Sequence, residues 1–580
     1  MKSFKVLKVF FRDNAWRYGL GIFWLIVVNT INLQVPRLLG TVTDLLSTRQ
    51  IGPMDLLRYA GYILGIAAAI AIGRFSWRIF IMGSARKLEY YLRNKLFAHL
   101  ETLSANFFTE NKTGDLMAHA TNDISAVRMA MGPGVLMLTD SLYITTITVI
   151  TMAKNIDGKM TLFALLPMPF LAVIALVFGQ KIHVRFKAVQ QAFSSMTDRV
   201  QENLAGIRVI KSFVQEEAEI ARFDKAADNY VVKSMNMIKL WGLFMPIMQL
   251  IAGISYLIVL AYGGIMVIHA RITLGDLVAF ISYLGMLIWP MMAVGRVINV
   301  LQRGAASMER LNALFDQTPD VNDHPEAVPV SSLKGDIDFR NLSFAYPDGT
   351  QALRNISIKV EKGKTLAIIG RTGSGKTTLV NLLLRLYNTE PGQLLIDGID
   401  INMIPLATLR ESIGYVPQDN FLFSDTIANN IGFAGDFSPE DIEEAARLAQ
   451  VYDNIVEFPL KFETMTGERG VTLSGGQKQR ISIARALVKD PNILILDDCL
   501  SAVDTHTEEE ILKGLRQVRK GRTSIIISHR VSTVMDADEI VVLDQGKIIE
   551  RGTHEQLVRR GGLYQHLYLK QQLEKKVSEA

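Results

Sequence analysis

The 580-residue sequence has one cysteine, Cys499. No disulfide can therefore close within the chain, and a lone cysteine just past an apolar strand is expected to be a small buried residue. Low-complexity tracts and internal repeats are absent. An excess of one charge is missing too: 62 Lys and Arg stand against 57 Asp and Glu, a formal net charge of +5. A nucleic-acid binder gathers its cations on one face, so no nucleic-acid partner is expected. The N-terminus carries Lys2, Lys5, Lys8, Arg12 and Arg17 ahead of an apolar run. It lacks a small-residue cleavage site, and Asn29, Asn32 and Gln34 interrupt the run. That pattern predicts an uncleaved first span in place of a secretory signal.

What the chain has is apolar length. Hydrophobic residues make up 49% of it, and it is too long for one domain. A membrane-crossing helix needs about 20 mostly apolar residues. Six segments qualify: Tyr18–Val35, Leu57–Met82, Met131–Ala153, Met160–Gly179, Leu240–Ile268 and Leu277–Val300. Spans three and four are joined by residues 154–159, and five and six by a short turn near Ala270-Arg271. The second span runs on into the charged pattern Arg86-Lys87-Leu88-Glu89, and the fourth into polar, helix-favouring residues 181–239. The positive-inside rule puts the basic N-terminus and long loops in the cytoplasm and the tight turns outside. Pro319, Pro325 and Pro329, with acids between them, read as a linker. From Gly335 onward short β-rich runs alternate with helical stretches, which predicts a largely parallel sheet. The expected architecture is a membrane all-α six-helix domain over 1–310, a linker over 311–334 and a cytoplasmic α/β P-loop ATPase over 335–580.

The strand Thr365–Ile369 leads into Gly370-Arg371-Thr372-Gly373-Ser374-Gly375-Lys376-Thr377-Thr378, and a helix follows. Glycines there let backbone N–H groups curl around phosphates at a helix N-terminus. Lys376 supplies charge to the β- and γ-oxygens, and the Thr377 hydroxyl is placed for Mg²⁺. The apolar run Ile493–Leu496 ends in Asp497, an acid suited to Mg²⁺, and Asp498 comes next. Between these two motifs stands Leu473-Ser474-Gly475-Gly476-Gln477, a combination far rarer than a P-loop alone.

At these residues the chain resembles the ATPase domain of ABC transporters. Nearly the whole chain resembles one half of a bacterial multidrug ABC exporter, of the heterodimeric type. The resemblance implies that ATP is the nucleotide and that Tyr346, in Phe344-Ala345-Tyr346-Pro347, stacks on adenine. It implies that Gln418 is the Q-loop residue touching Mg²⁺ and that His529 is the switch histidine at the γ-phosphate. Ser501-Ala502-Val503-Asp504 matches the D-loop, and Thr466-Gly467-Glu468-Arg469-Gly470 resembles the exporter X-loop. Residues 107–123 and 206–213 resemble the intracellular loops that press on ATPase domains. Leu473–Gln477 would act on ATP held by a second half-transporter, so the chain must dimerise to complete a site.

Where the family has a catalytic glutamate, this chain has Asp498. A shorter carboxylate falls short of the attacking water, and misplacement by about 1 Å can cost on the order of 100-fold. The expectation is tight ATP binding and slow hydrolysis at the chain's own site, with a different partner chain that carries the glutamate. The transported substrate would be a hydrophobic small molecule crossing the lipid bilayer.

Asp140 lies inside the third span. Acids in the bilayer usually face a cavity, so Asp140 could meet a cationic substrate or cap structure near the interface; both remain open. Met245, Met248, Met286, Met291 and Met292 are expected mainly as packing residues. Two alternatives remain: a homodimeric lipid flippase of the same fold, and an ATP-gated membrane regulator that transports nothing. No peptidase-like extension precedes the first span, which argues against a peptide-processing exporter.

Overall fold

The computed structural model describes residues 2–579 except 468–469, 471–472, 500–504 and 520. The chain divides into two compact units: Met1–Glu101 with Lys112–Gln317, and Thr102–Asn111 with Thr318–Ala580.

The first unit is helical. Six segments are long and apolar enough to cross a bilayer: α1 (Lys8–Ser47), α2 (Pro53–Leu100), α3 (Thr113–Asn155), α4 (Gly158–Ala205), α5 (Glu216–Ile268) and α6 (Leu274–Phe315). Local chemistry starts them. Pro53 opens α2, where its missing N–H costs nothing. Asp157 caps α4 by accepting from Met160 N at 2.7 Å, and Thr273 with Asp276 forms a capping box at the start of α6. The helices outlast the apolar spans. The 48 residues of α2 make a rod of about 72 Å at roughly 1.5 Å per residue, more than twice the hydrocarbon thickness of about 30 Å. Wide π-turns occur at His119–Asp123, Ala130–Gly134 and Val259–Gly263. The second holds Pro133, whose lost hydrogen bond such a turn absorbs.

Helix α6 is the centre of this core. Phe280, Leu284 and Leu287 are fully buried against Met160, Met168 and Leu171 of α4 and Val259 of α5. The Tyr283 hydroxyl donates to Leu33 O at 3.0 Å, at a break in α1. Asp44 accepts from Gly275 N at 2.6 Å and ties the end of α1 to the start of α6. Near the other end Arg310 of α6 pairs with Asp123 of α3, which also bonds His119. Leu57, Leu64, Ile72 and Phe75 on α2 are exposed, as lipid-facing or partner-facing side chains must be in one isolated subunit.

The second unit holds ten strands among the described residues. An antiparallel sheet runs β2-β1-β4-β5, from β1 (Ile337–Ala345), β2 (Gln351–Val360), β4 (Leu394–Ile396) and β5 (Ile399–Asp400). A second sheet is built from β3 (Thr365–Gly370), β6 (Ile413–Val416), β7 (Ile493–Asp497), β8 (Thr523–Ile527), β9 (Glu539–Asp544) and β10 (Lys547–Gly552). Its order is β10-β9-β3-β8-β7-β6, parallel except for β10. Strands β3, β7 and β8 are buried along their whole length, as parallel strands covered on both faces are. Alternate residues feed two cores: Leu366 and Ile368 pack with Leu379 and Phe339, while Ala367 and Ile369 pack with Ile481 and Leu496. The segment Thr102–Asn111 belongs to this unit. There Ser104 and Asn106 donate to Asp320 at 3.3 and 3.4 Å.

One topological fact positions the site. Because β3, β6, β7 and β8 run parallel as neighbours in one sheet, their C-terminal ends lie along one edge, and open α/β sheets bind ligands there.

Candidate nucleotide site

The loop after β3 is shaped by glycines. Gly375 has φ +99°, and a Cβ there would stand 2.7 Å from Ala352 O. A Cβ on Gly370 would meet Leu543 O at 2.2 Å, so neither position admits a side chain. The loop closes onto helix α7 (Lys376–Leu383). Lys376 is buried, and its ammonium donates to Gly370 O at 3.0 Å and Arg371 O at 2.8 Å. The side chain thus bridges the rim of the anion cradle. Burial pulls its pKa down, against the opposing pull of Asp497 and Asp498.

Asp497 closes β7 and is buried. Burial pushes its carboxyl up, opposed by the Thr377 hydroxyl hydrogen bond and by Lys376. Its Oδ2 and the hydroxyl of Ser374 are buried without a hydrogen-bond partner among the described residues. Orphaned polar atoms of this kind in a buried site call for a ligand. One carboxylate and one hydroxyl fit Mg²⁺, which takes few protein ligands beside phosphates and water. No cluster of three His, Cys, Asp or Glu side chains occurs among the described residues.

Asp498 follows with φ +47°, a left-handed conformation costly for a non-glycine residue. It is held there by Asp498 N donating to Ile527 O at 2.8 Å. Its Oδ1 lies 3.5 Å from His529 N, which follows β8. Burial, with Lys376 nearby, holds the His529 ring below the usual histidine range, against the pull of Asp498. Gln418 is exposed two residues past β6. The Tyr346 hydroxyl pairs with that of Thr378 at 2.9 Å, and its ring packs edge-on to Phe344 and Tyr387. The structure therefore gathers Lys376, Thr377, Asp497, Asp498 and His529, with Tyr346 beside Thr378 on the P-loop helix.

The Leu473–Gln477 segment is built differently. Leu473 is buried. Ser474 caps helix α8 (Gly475–Leu487): its hydroxyl accepts from Gln477 N at 3.3 Å, and Gln477 Oε1 accepts from Ser474 N at 3.0 Å. Ser474 and Gly475 are exposed at the tip. Helix α8 packs on β6 and the helices Ile427–Ile431 and Pro439–Leu448, whereas α7 packs on β2, β3 and β7. The two glycine-rich tips thus belong to different layers of the unit.

Residues 18–291 match the ABC transporter transmembrane region, and residues 353–501 match the ABC transporter family. This chain belongs to the ABC transporter family. It is 44% identical over 575 residues, 98% of each chain, to "Probable multidrug resistance ABC transporter ATP-binding/permease protein YheI" of Bacillus subtilis (strain 168). It is 40% identical to "Multidrug resistance-like ATP-binding protein MdlA" of Escherichia coli (strain K12), covering 100% of this chain and 98% of the relative. A bacterial Atm1-family ABC exporter solved with ATP bound has the same fold, with a TM-score of 0.76, 30% identity, and 96% of this chain and 98% of that one covered.

As an ABC exporter the chain is a multi-pass membrane protein whose ATPase domain is cytoplasmic and binds ATP. Two of the expected ABC loops fall wholly or partly outside the described residues: Ser501–Asp504, and Glu468 and Arg469 of the 466–470 segment. Within the latter, Thr466 is buried and donates to Phe423 O at 2.7 Å. Cys499 is buried, and burial pushes its thiol up to about 12, which leaves it unreactive.

Sequence reasoning missed what holds the His529 turn. Gln571, on the C-terminal helix Leu563–Glu579, donates to His529 O at 2.7 Å and accepts from Val531 N at 2.7 Å. Beside it Glu508 is buried, pairs with Arg530, and accepts from Ser532 and Thr533 at 3.2 Å each. No short motif marks either residue.

Proposed function

We propose that this chain is the subunit of a heterodimeric exporter that moves amphipathic drugs or lipid-like compounds out through the cytoplasmic membrane, and that its own ATP site is the slow one. In this respect it is most like the BmrC subunit of the BmrCD pair.

In this assignment the P-loop backbone and Lys376 hold the β- and γ-phosphates, and Tyr346 stacks on adenine. Thr377, Asp497 and Gln418 would hold Mg²⁺, which neutralises phosphate charge. Asp498 faces the attacking water with a carboxylate one carbon short, and His529 contacts the γ-phosphate. Leu473, Ser474, Gly475, Gly476 and Gln477 present a capped helix tip to ATP bound by the partner chain. ATP between the two ATPase domains favours their closed state, and only such differential binding can drive the membrane helices outward-open. Hydrolysis at the partner's site resets the cycle.

The observation that supports the asymmetry is Asp498, wedged at φ +47° and bonded through Asp498 N to Ile527 O. That anchoring leaves the backbone little freedom to advance a short carboxylate. Position-sensitive base chemistry of this kind changes rates by about 10²–10⁴. The test is steady-state ATPase of the co-purified pair, with the partner's catalytic glutamate changed to glutamine so that only this chain's site turns over. Asp498→Glu should raise that residual rate about 10- to 100-fold. An unchanged rate would remove the basis for calling the site slow.

A further inference from the structure

The helical unit holds a cavity of about 350 Å³ between α1, α2, α3 and α6, lined by Asn29, Arg74, Trp77, Arg78, Asp140 and Trp289 among others. Asp140 lines this cavity. It does not face it as a bare anion, because Asn29 Nδ2 donates to Asp140 Oδ1 at 2.8 Å.

The unsatisfied charge is of the other sign. Arg74 and Arg78 stand one turn apart on α2, and neither forms an ion pair among the described residues. Arg78 lies over the Trp77 ring at 5.5 Å. Two arginines against one amide-bonded aspartate make the lining net positive. Counting about 1.5 Å per residue from the outer ends of α2, α3 and α6, Asp140 and Trp289 sit about 22 Å deep and Arg74 and Arg78 about 32 and 38 Å deep. With a hydrocarbon core of about 30 Å, the tryptophan and the aspartate lie in the inner half of the bilayer and the two arginines at its inner boundary, where the headgroup of an amphiphile in the inner leaflet also lies.

We propose that this cavity binds the anionic headgroup, phosphate or carboxylate, of an amphiphile whose apolar body lies against Trp77 and Trp289. Guanidinium groups grip such oxyanions bidentately, whereas a cationic drug would meet two like charges before reaching Asp140. The assignment rests on the exporter reading for its biological use, but binding itself needs no ATP.

The test is equilibrium binding to the full-length chain in neutral maltoside micelles, read by tryptophan emission. Dodecyl phosphate should give a saturable change in tryptophan emission that is lost in Trp77→Phe/Trp289→Phe, with affinity weakened at least 10-fold in Arg74→Ala/Arg78→Ala. Dodecyltrimethylammonium should bind at least 10-fold more weakly than dodecyl phosphate. Asp140→Asn, which removes the negative charge without removing the arginines, should tighten dodecyl phosphate binding several-fold; this variant keeps the test alive should the double substitution fail to fold. Equal binding of the cationic probe, an unaffected double variant, or weaker binding by Asp140→Asn overturns the proposal. In nanodiscs, competition by phosphatidylglycerol but not phosphatidylcholine assigns the site to a lipid headgroup, and absence of competition assigns it to a soluble amphiphile. ATP-dependent transport in vesicles is measured separately, so a failed exporter and a failed anion site give different results.

Discussion

At His529 three forces meet. Burial and Lys376 disfavour the protonated ring, and Asp498 favours it, with the first two prevailing. The folded ring therefore loses its proton more readily than an unfolded one. Its stabilising contribution is full above the ordinary value of about 6.5 and is lost as pH falls through the window just beneath it. Replacing it with an untitratable side chain should flatten that loss: His529→Gln should lower apparent thermal stability less than the parent does between pH of about 7 and 5.5. A parallel fall in both proteins would place the acid sensitivity elsewhere. The turn carrying His529 is set by Gln571 through two 2.7 Å bonds. With a net worth of about 1 kcal/mol for each hydrogen bond, Gln571→Ala should cut turnover about 30-fold in the Asp498→Glu background and leave the ATP KM nearly unchanged. A higher KM with unaltered kcat would mean that the clamp serves binding and not the chemical step. The sequence could point to Lys376 and Thr377 at the start of α7, Asp497 at the end of β7 and His529 just past β8 because each lies within a short local pattern. Gln571 was not legible, because its partner lies 42 residues earlier and nothing local marks a glutamine as a clamp.

Among elements, the six spans were legible and their lengths only in part. Hydropathy sees only the part of a helix that lipid must cover, so Tyr18–Val35 and Leu57–Met82 stand where α1 runs Lys8–Ser47 and α2 Pro53–Leu100. The charged continuation of the second span and the helix-favouring stretch after the fourth were legible as helix, and α2 runs to Leu100 and α4 to Ala205, but the ends of α1 at Lys8 and Ser47 were not. Nor does an apolar pattern announce the broad turn at Ala130–Gly134 or the break in α1 at Leu33. The parallel sheet followed from alternation, but its order, with β3 between β9 and β8, did not. Helix α8 shows how a motif serves structure and chemistry together. Ser474 and Gln477 already satisfy the first turn as a capping box, yet Ser474 is exposed at the tip that the proposal sets against a second chain's phosphate. Aspartate caps a helix as well as serine does, so Ser474→Asp should unfold at the parent's temperature. A carboxylate at that tip repels phosphate, so the same variant should lose most ATPase activity of the pair, about 100-fold for some 2.7 kcal/mol of repulsion. If activity survives, the tip does not approach nucleotide. If Tm falls with it, the effect is only structural.

For the whole molecule, each motif's worth depends on which composite site it joins. The P-loop tip of α7 and the signature tip of α8 lie in different layers of one ATPase unit, so a second chain is required to bring a signature to this chain's nucleotide. In the proposed heterodimer, Lys376 and Asp498 would serve the slow site, while Ser474, Gly475 and Gly476 would serve the fast one. Substitutions in this single chain should therefore act unequally. Lys376→Met removes phosphate charge from the slow site and should lower steady-state turnover of the pair by only a few-fold, through poorer closure. On the same proposal Gly476→Glu would block the tip at the fast site and should lower turnover at least 100-fold, although it would lie in the chain that hydrolyses less. The matching substitutions in the partner should show the reverse order, with its P-loop lysine critical and its signature tolerant. A symmetric homodimer predicts that both substitutions in this chain abolish turnover equally, because each site would contain both defects. The ratio of the two residual rates, measured in one preparation with the same partner, therefore separates a two-chain machine with unequal sites from a pair of identical halves.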